Sequence, residues 1–247
     1  MTFEYTVRTI IKTFQLKKMR SIKFKAVLGL LTFMFLIQGL SAQDPDRFKD
    51  EVEQLSIKKY QFDNVKPVLL FAGSSSIRKW ENIESYFPEY NVIKNGFGGS
   101  QFSDLIYFYD KLIAGFAQYK PDVLLIYEGD NDIADGKKPS HIIKDAKHLL
   151  SMIRQDFPEI PVVYISAKPS IRRWGLKKEY TALNKKLRKF CLKTDNVYFV
   201  DVWNIMLDEN ENLRKDLFLD DNLHMNPAGY ELWTSEILKV LKNVLDK

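Results

Sequence analysis

One cysteine stands in 247 residues, Cys191. An intrachain disulfide framework and a cysteine-based zinc cluster are therefore excluded. Cys191 falls in the basic amphipathic stretch 187–193, where it reads as a helix-face residue rather than a nucleophile. Histidine is nearly as scarce, with three in the chain, so few side chains are available as a general base. The chain has no internal repeat, no low-complexity tract and no Gly/Ser linker. Hydrophobic residues make up 45% and charged residues 28%, ordinary globular values that speak against disorder, collagen and coiled coil. The formal charge is +5, but residues 1–42 hold seven Lys or Arg and one Glu, a net of +6, and the rest sum to −1. The basic balance thus belongs to the N-terminal segment, and no nucleic-acid partner is expected.

The one long uncharged run, 26–40, has fifteen residues, short of the ~20 a spanning helix needs. Lys17, Lys18, Arg20, Lys23 and Lys25 precede it, and Ser41 and Ala42 follow. A basic start, a short apolar run and a small-residue exit describe a secretory signal peptide, here cut near Ala42. Met19 offers an alternative start to Met1. The expected organisation is an N-terminal extension and signal over 1–42 and one domain over 43–247, working outside the cytoplasm, periplasmic or extracellular. A membrane is a partner only if the segment is retained.

Five short apolar runs, 68–72, 91–94, 123–127, 162–166 and 197–200, are rich in Val, Ile, Leu or Tyr and end at turn residues. Such runs suit strands buried on both faces. Helical patterns lie between and after them at 139–157, 176–192 and 227–245, the last opened by Asn226 and Pro227 as cap and first residue. Residues 43–67 read as a lead-in with one short helix. Strands alternating with helices predict an α/β fold: a single three-layer α/β/α domain around a five-stranded parallel sheet. Ligands in such sheets bind beyond the carboxyl ends of the strands, and four of the five exits carry chemistry.

The first exit, Gly73-Ser74-Ser75-Ser76, places hydroxyls at a helix start, where a nucleophile and a developing oxyanion both gain from free N–H groups. Three serines serve equally well as an N-cap. The second exit, 95–100, has Gly96, Gly98 and Gly99, but Gln101 stands where a dinucleotide fingerprint needs its third glycine. The third, Glu128-Gly129-Asp130-Asn131-Asp132, offers an Asn amide to an oxyanion and fails the calcium-loop spacing. Residues 208–212 begin like a calcium loop, but Leu213 replaces the needed glycine, and they read as an exposed turn. The last, Asp221 to His224, puts a carboxylate three residues before an imidazole it can orient. His141 and His148 sit in a helical pattern without such a neighbour, so His224 is the candidate base.

These four blocks, in this order, resemble the SGNH (GDSL-like) hydrolase superfamily over about residues 66–242. Ser75 takes the nucleophile's place, Gly99 and Asn131 match the oxyanion residues, and Asp221 and His224 match the final pair. The resemblance implies a flavodoxin-like strand order and a carboxylic ester hydrolase acting through Ser75, His224, Asp221 and an acyl-enzyme. The oxyanion would be held by the Ser75 and Gly99 N–H groups and the Asn131 side chain, with neither metal nor organic cofactor. The family's Asp before the nucleophile is Ser74 here, which leaves Ser74 and Ser76 as alternative nucleophiles. Arg78, Trp80, Lys168 and Trp174 are candidates for lining the substrate site. Export favours short acyl or O-acetyl esters of carbohydrate, a small-molecule or glycan ester. A lysophospholipase or thioesterase acting on lipid is the alternative, and so are an idle glycan-binding SGNH fold and a membrane-anchored scaffold.

Overall fold

The computed structural model describes residues 44–246; the expected signal segment lies outside the described residues. Five strands, β1 (Val68–Gly73), β2 (Asn91–Gly96), β3 (Val123–Tyr127), β4 (Val162–Ile165) and β5 (Val197–Val200), form one sheet in the order β2-β1-β3-β4-β5. Every pairing is parallel. This is the flavodoxin-like order, as the resemblance implied.

The central strands β1, β3 and β4 are buried along their whole length because both faces are covered, while the edge strand β2 carries Asn91, Lys94 and Asn95. Leu70, Ala72, Leu124, Ile126, Val162 and Tyr164 point into one core layer. Their alternating neighbours Leu69, Phe71, Leu125, Tyr127, Val163 and Ile165 point into the other, as the two-residue period of a strand requires. The helices Pro139–Asp156 and Lys177–Cys191 cover the first layer with Ile142, Ala146, Leu149, Ile153, Leu183 and Leu187. The final helix, Pro227–Leu245, covers the second with Tyr230, Trp233, Ile237 and Leu241. Full burial of one such side chain contributes about 1.5–3 kcal/mol. Cys191 closes its helix as a buried free thiol, as its sequence context indicated.

Boundaries differ from the sequence reading by a residue or two. β1 and β2 run on into Gly73 and Gly96, which pair with each other, and β4 stops before Ser166. The lead-in holds one α-helix, Lys49–Ser56, preceded by a 3-10 turn. Between β2 and β3 the sequence showed no element, yet two short helices, Phe102–Tyr107 and Tyr109–Leu112, and the 3-10 segment Ala114–Tyr119 fill the gap. Pieces this short complete too few turns to display a 3.6-residue period. The expected turn at 208–212 is exposed and tied by Asp208 Oδ1, which accepts from the N–H groups of Asn210 and Asn212.

Candidate active site

The register aligns the ends of β1, β2 and β3: Gly73 lies opposite both Gly96 and Tyr127. Gly73 has φ +145°, and a Cβ there would meet the Tyr127 carbonyl oxygen at 2.1 Å. Only glycine lets the chain turn this close to β3. The Ser74 N–H donates to that same Tyr127 oxygen at 3.0 Å, and Ser75 becomes the first residue of the helix Ser75–Arg78. Its N–H therefore has no intrahelical acceptor.

The loop before the final helix folds back on itself through the antiparallel bridge between Phe218 and Met225 and a bond from the Leu219 N–H to the His224 carbonyl at 2.9 Å. This brings His224 to Ser75. Its Nε2 lies 3.0 Å from Ser75 Oγ and its Nδ1 lies 2.6 Å from Asp221 Oδ2. An ionised carboxylate can only accept, so Nδ1 carries the hydrogen and Nε2 is left to accept from the serine hydroxyl. The second Asp221 oxygen accepts from the N–H groups of Leu223 at 3.0 Å and His224 at 2.9 Å. Burial works against the Asp221 charge, but these bonds outweigh it and hold the carboxyl well below the usual carboxylate range. Burial lowers the His224 pKa, and Lys79 and Lys168 add to that, against the opposing pull of Asp221. The net shift favours the neutral imidazole, the state a general base needs.

Of the three adjacent serines only Ser75 meets His224. Ser74 directs its hydroxyl to Asp130 Oδ1 at 3.4 Å, and Ser76 is buried with its carbonyl accepting from the Tyr230 hydroxyl at 2.9 Å. Gly99 lies beside Asn131, a Cβ on Gly99 falling 3.9 Å from Asn131 Nδ2. Nδ2 donates to the Ser100 carbonyl at 2.9 Å.

The four residues expected to line the substrate site are placed differently. Trp80 is fully buried, stacked on Tyr230 at 4.8 Å and packed against Phe71, Phe87 and Trp233. It is a core residue, because the helix turn after Ser75 points it under the final helix. Lys168 is also buried, donating through Nζ to the Leu223 carbonyl at 2.6 Å. It braces the Asp221–His224 loop rather than facing substrate, and burial pushes its pKa down to about 8. Arg78 pairs with Glu51 at 3.2 Å, and Glu51 in turn accepts from the Gly98 N–H at 2.9 Å. Trp174 is half-buried, stacked on Trp203 at 6.1 Å with Lys177 over its ring.

Sequence reasoning missed what surrounds Asn131. Arg173 Nη2 donates to Asn131 Oδ1 at 2.8 Å, and Arg173 Nη1 donates to Asp130 Oδ2 at 3.3 Å. Ser100 Oγ and Glu128 Oε1 lie 2.6 Å apart, both buried. Burial, with Asp132, Asp130 and Asp104 nearby, raises the Glu128 pKa well above normal despite the Ser100 bond. Nothing in a lone Glu after a strand, or in the second of two adjacent arginines, marks these pairings. They depend on which exits the sheet aligns. Among the described residues no group of three or more His, Cys, Asp or Glu is arranged to hold a metal ion. A cavity of about 560 Å³ lies away from Ser75, between the helix Lys177–Cys191 and the edge strand β5, lined by Arg188, Leu192, Phe199 and Trp203 among others.

A family model of the GDSL-like Lipase/Acylhydrolase family matches residues 71–232. No curated protein matches the chain in sequence. Among solved structures, a protein named as a platelet activating factor from Streptococcus pneumonia is similar with TM-score 0.67 at 19% identity, over 85% of this chain and 99% of that one. A GDSL-like lipase from Bacteroides thetaiotaomicron VPI-5482 is similar with TM-score 0.65 at 17% identity, over 82% of this chain and 98% of that one. A carbohydrate esterase family 3 protein from Talaromyces cellulolyticus is similar with TM-score 0.55 at 20% identity, over 73% and 99%. The family model spans both the serine turn and the His224 loop, and the chain belongs to the GDSL-like lipase/acylhydrolase family of the SGNH superfamily, as a carboxylic ester hydrolase.

Proposed function

We propose that the chain is an exported serine esterase that removes short acyl groups, O-acetyl groups on carbohydrate in particular, through Ser75, His224 and Asp221. The observation that carries this reading is the position of His224, within hydrogen-bond reach of Ser75 on one side and of Asp221 on the other. Ser75 Oγ attacks the ester carbonyl carbon while its proton passes to His224 Nε2. Asp221 holds the imidazole in the required tautomer and stabilises the imidazolium that forms. The carbonyl oxygen becomes an oxyanion that accepts from the Ser75 N–H, the Gly99 N–H and Asn131 Nδ2. Collapse expels the alcohol, which takes the proton from His224, and leaves the acyl group on Ser75. Water, deprotonated by His224, then attacks the acyl-enzyme and releases the carboxylic acid and free Ser75.

The carbohydrate assignment is supported by the fold shared with a carbohydrate esterase and by the signal-like N-terminal segment. The test is hydrolysis of p-nitrophenyl acetate and butyrate beside Ser75→Ala, followed by acetylated glycans beside long-chain lysophospholipids. Activity should fall by about 10⁴-fold or more in the variant, and acetate release from glycan should exceed lipid hydrolysis. Activity surviving in Ser75→Ala would refute the nucleophile, and a preference for lysophospholipid would replace the substrate class. N-terminal sequencing of exported protein should begin at Gln43; a retained segment would refute cleavage.

A further inference from the structure

We infer that Arg173 is a positioning residue for oxyanion stabilisation, holding the Asn131 carboxamide in the one orientation that presents Nδ2 beside Gly99. The inference rests on the proposed role of Asn131 as an oxyanion donor. A carboxamide is nearly symmetric in shape, so hydrogen bonds alone decide which end faces which way. Here Oδ1 accepts from Arg173 Nη2 at 2.8 Å and Nδ2 donates to the Ser100 carbonyl at 2.9 Å. Turning the amide over would set its NH₂ against the guanidinium donors and its oxygen against the Ser100 oxygen. Both bonds would be lost and two like contacts made in a site where Asn131 retains 8% of its exposure.

Both ends of this arrangement are anchored. The guanidinium is mostly buried, and its other nitrogen donates to Asp130 Oδ2 at 3.3 Å and to the Tyr180 hydroxyl at 3.5 Å. That hydroxyl donates to the Asp130 carbonyl at 2.7 Å. At the opposite end Ser100 is held by Glu128 at 2.6 Å and by the Phe97 carbonyl at 3.3 Å. Ser100 Oγ donates to Glu128 Oε1, the nearer of these two acceptors. A charged donor on Oδ1 also draws electron density from the amide, which makes Nδ2 the stronger donor as the oxyanion forms. Arg173 does all this through Asn131 and not through the ester.

The test is a double-mutant cycle on the full chain with p-nitrophenyl acetate. Arg173→Met should lower kcat by about 10- to 100-fold, short of the 100- to 1000-fold typical of losing one oxyanion donor outright. KM should stay within about threefold, and Arg173→Lys should recover part of the loss. In an Asn131→Ala background Arg173→Met should cost less than about threefold more. The acid limb of the pH profile, set by His224, should not move. The same fold-loss in both backgrounds would overturn the inference while leaving the role of Asn131 intact. So would a raised KM with unchanged kcat, which would make Arg173 a substrate ligand. An unchanged kcat in Asn131→Ala alone would overturn the oxyanion reading, and this inference with it. Thermal melts accompany each variant, and if Arg173→Met does not fold, Arg173→Lys closes the cycle.

Discussion

Trp80→Ala separates two roles that the sequence left open for that residue, substrate contact and core packing. The indole is fully buried, stacked at 4.8 Å on Tyr230 and within 6.0 Å of Phe71, Phe87 and Trp233. A tryptophan buries about 150–250 Å². At about 25 cal/mol per Å² that is about 4–6 kcal/mol of transfer free energy, and measured truncations of this kind cost about 3–5 kcal/mol. The expected loss is about 4 kcal/mol. In a domain of this size each kcal/mol moves Tm by about 2–4 °C, so Tm should fall by about 10 °C. Urea unfolding at 25 °C measures the loss, and ester hydrolysis by the folded fraction measures KM. Trp80 Nε1 has no hydrogen-bond partner, so Trp80→Phe should lose packing only and fall between. A loss under about 1 kcal/mol together with a raised KM would refute the core assignment.

Other outcomes follow from single contacts. In the proposed mechanism His224 acts when neutral, so kcat/KM should rise with pH as its imidazolium loses a proton. Burial lowers that pKa from 6.5, so the acid limb should have its midpoint below 6.5; a midpoint above 7 would contradict the site's electrostatics. Asp221→Asn keeps the shape but admits the wrong imidazole tautomer, and kcat should drop by about 10⁴-fold; a drop under tenfold would make Asp221 dispensable. Gly73→Ala forces a Cβ to 2.1 Å from the Tyr127 oxygen at φ +145°. It should destabilise the chain by about 3 kcal/mol or more, read by urea unfolding, and a wild-type midpoint would disprove the close approach. Burial pushes the Cys191 thiol up to about 12, so a thiol reagent at pH 8 should label it in urea and not in the native protein.

Much of the fold was legible in the sequence because each strand carries its own signal. Runs of four or five residues rich in Val, Ile, Leu or Tyr and bounded by turn residues need no partner to be recognised, and 123–127 and 197–200 were read to the residue. The helix Pro227–Leu245 was equally plain from Asn226 and Pro227 at its start, and Asn226 Oδ1 does accept from the Gly229 N–H at 3.2 Å. The residues between β2 and β3 were not legible. Helices of four to six residues there are held by contacts such as the Gln101 N–H donating to Asp104 Oδ2 at 2.9 Å, with Asp104 also accepting from Arg47.

The candidate site divides the same way. Local chemistry at the strand exits pointed to the serine cluster, Asn131, Asp221 and His224, while the choice of Ser75 among three serines and of Gly99 among three glycines came from the resemblance to the SGNH hydrolases. Which of three adjacent serines meets the imidazole was decided by the turn at Gly73, whose close approach to Tyr127 sets the rotation of the helix that follows. The assignments of Trp80 and Lys168 to the core, and of Arg173 to Asn131, were likewise decided by tertiary structure. A sequence states what a side chain can donate, accept or bury. Which partner it finds among residues forty or more positions away depends on how the parallel sheet brings its exits together, and that register exists only in the folded chain.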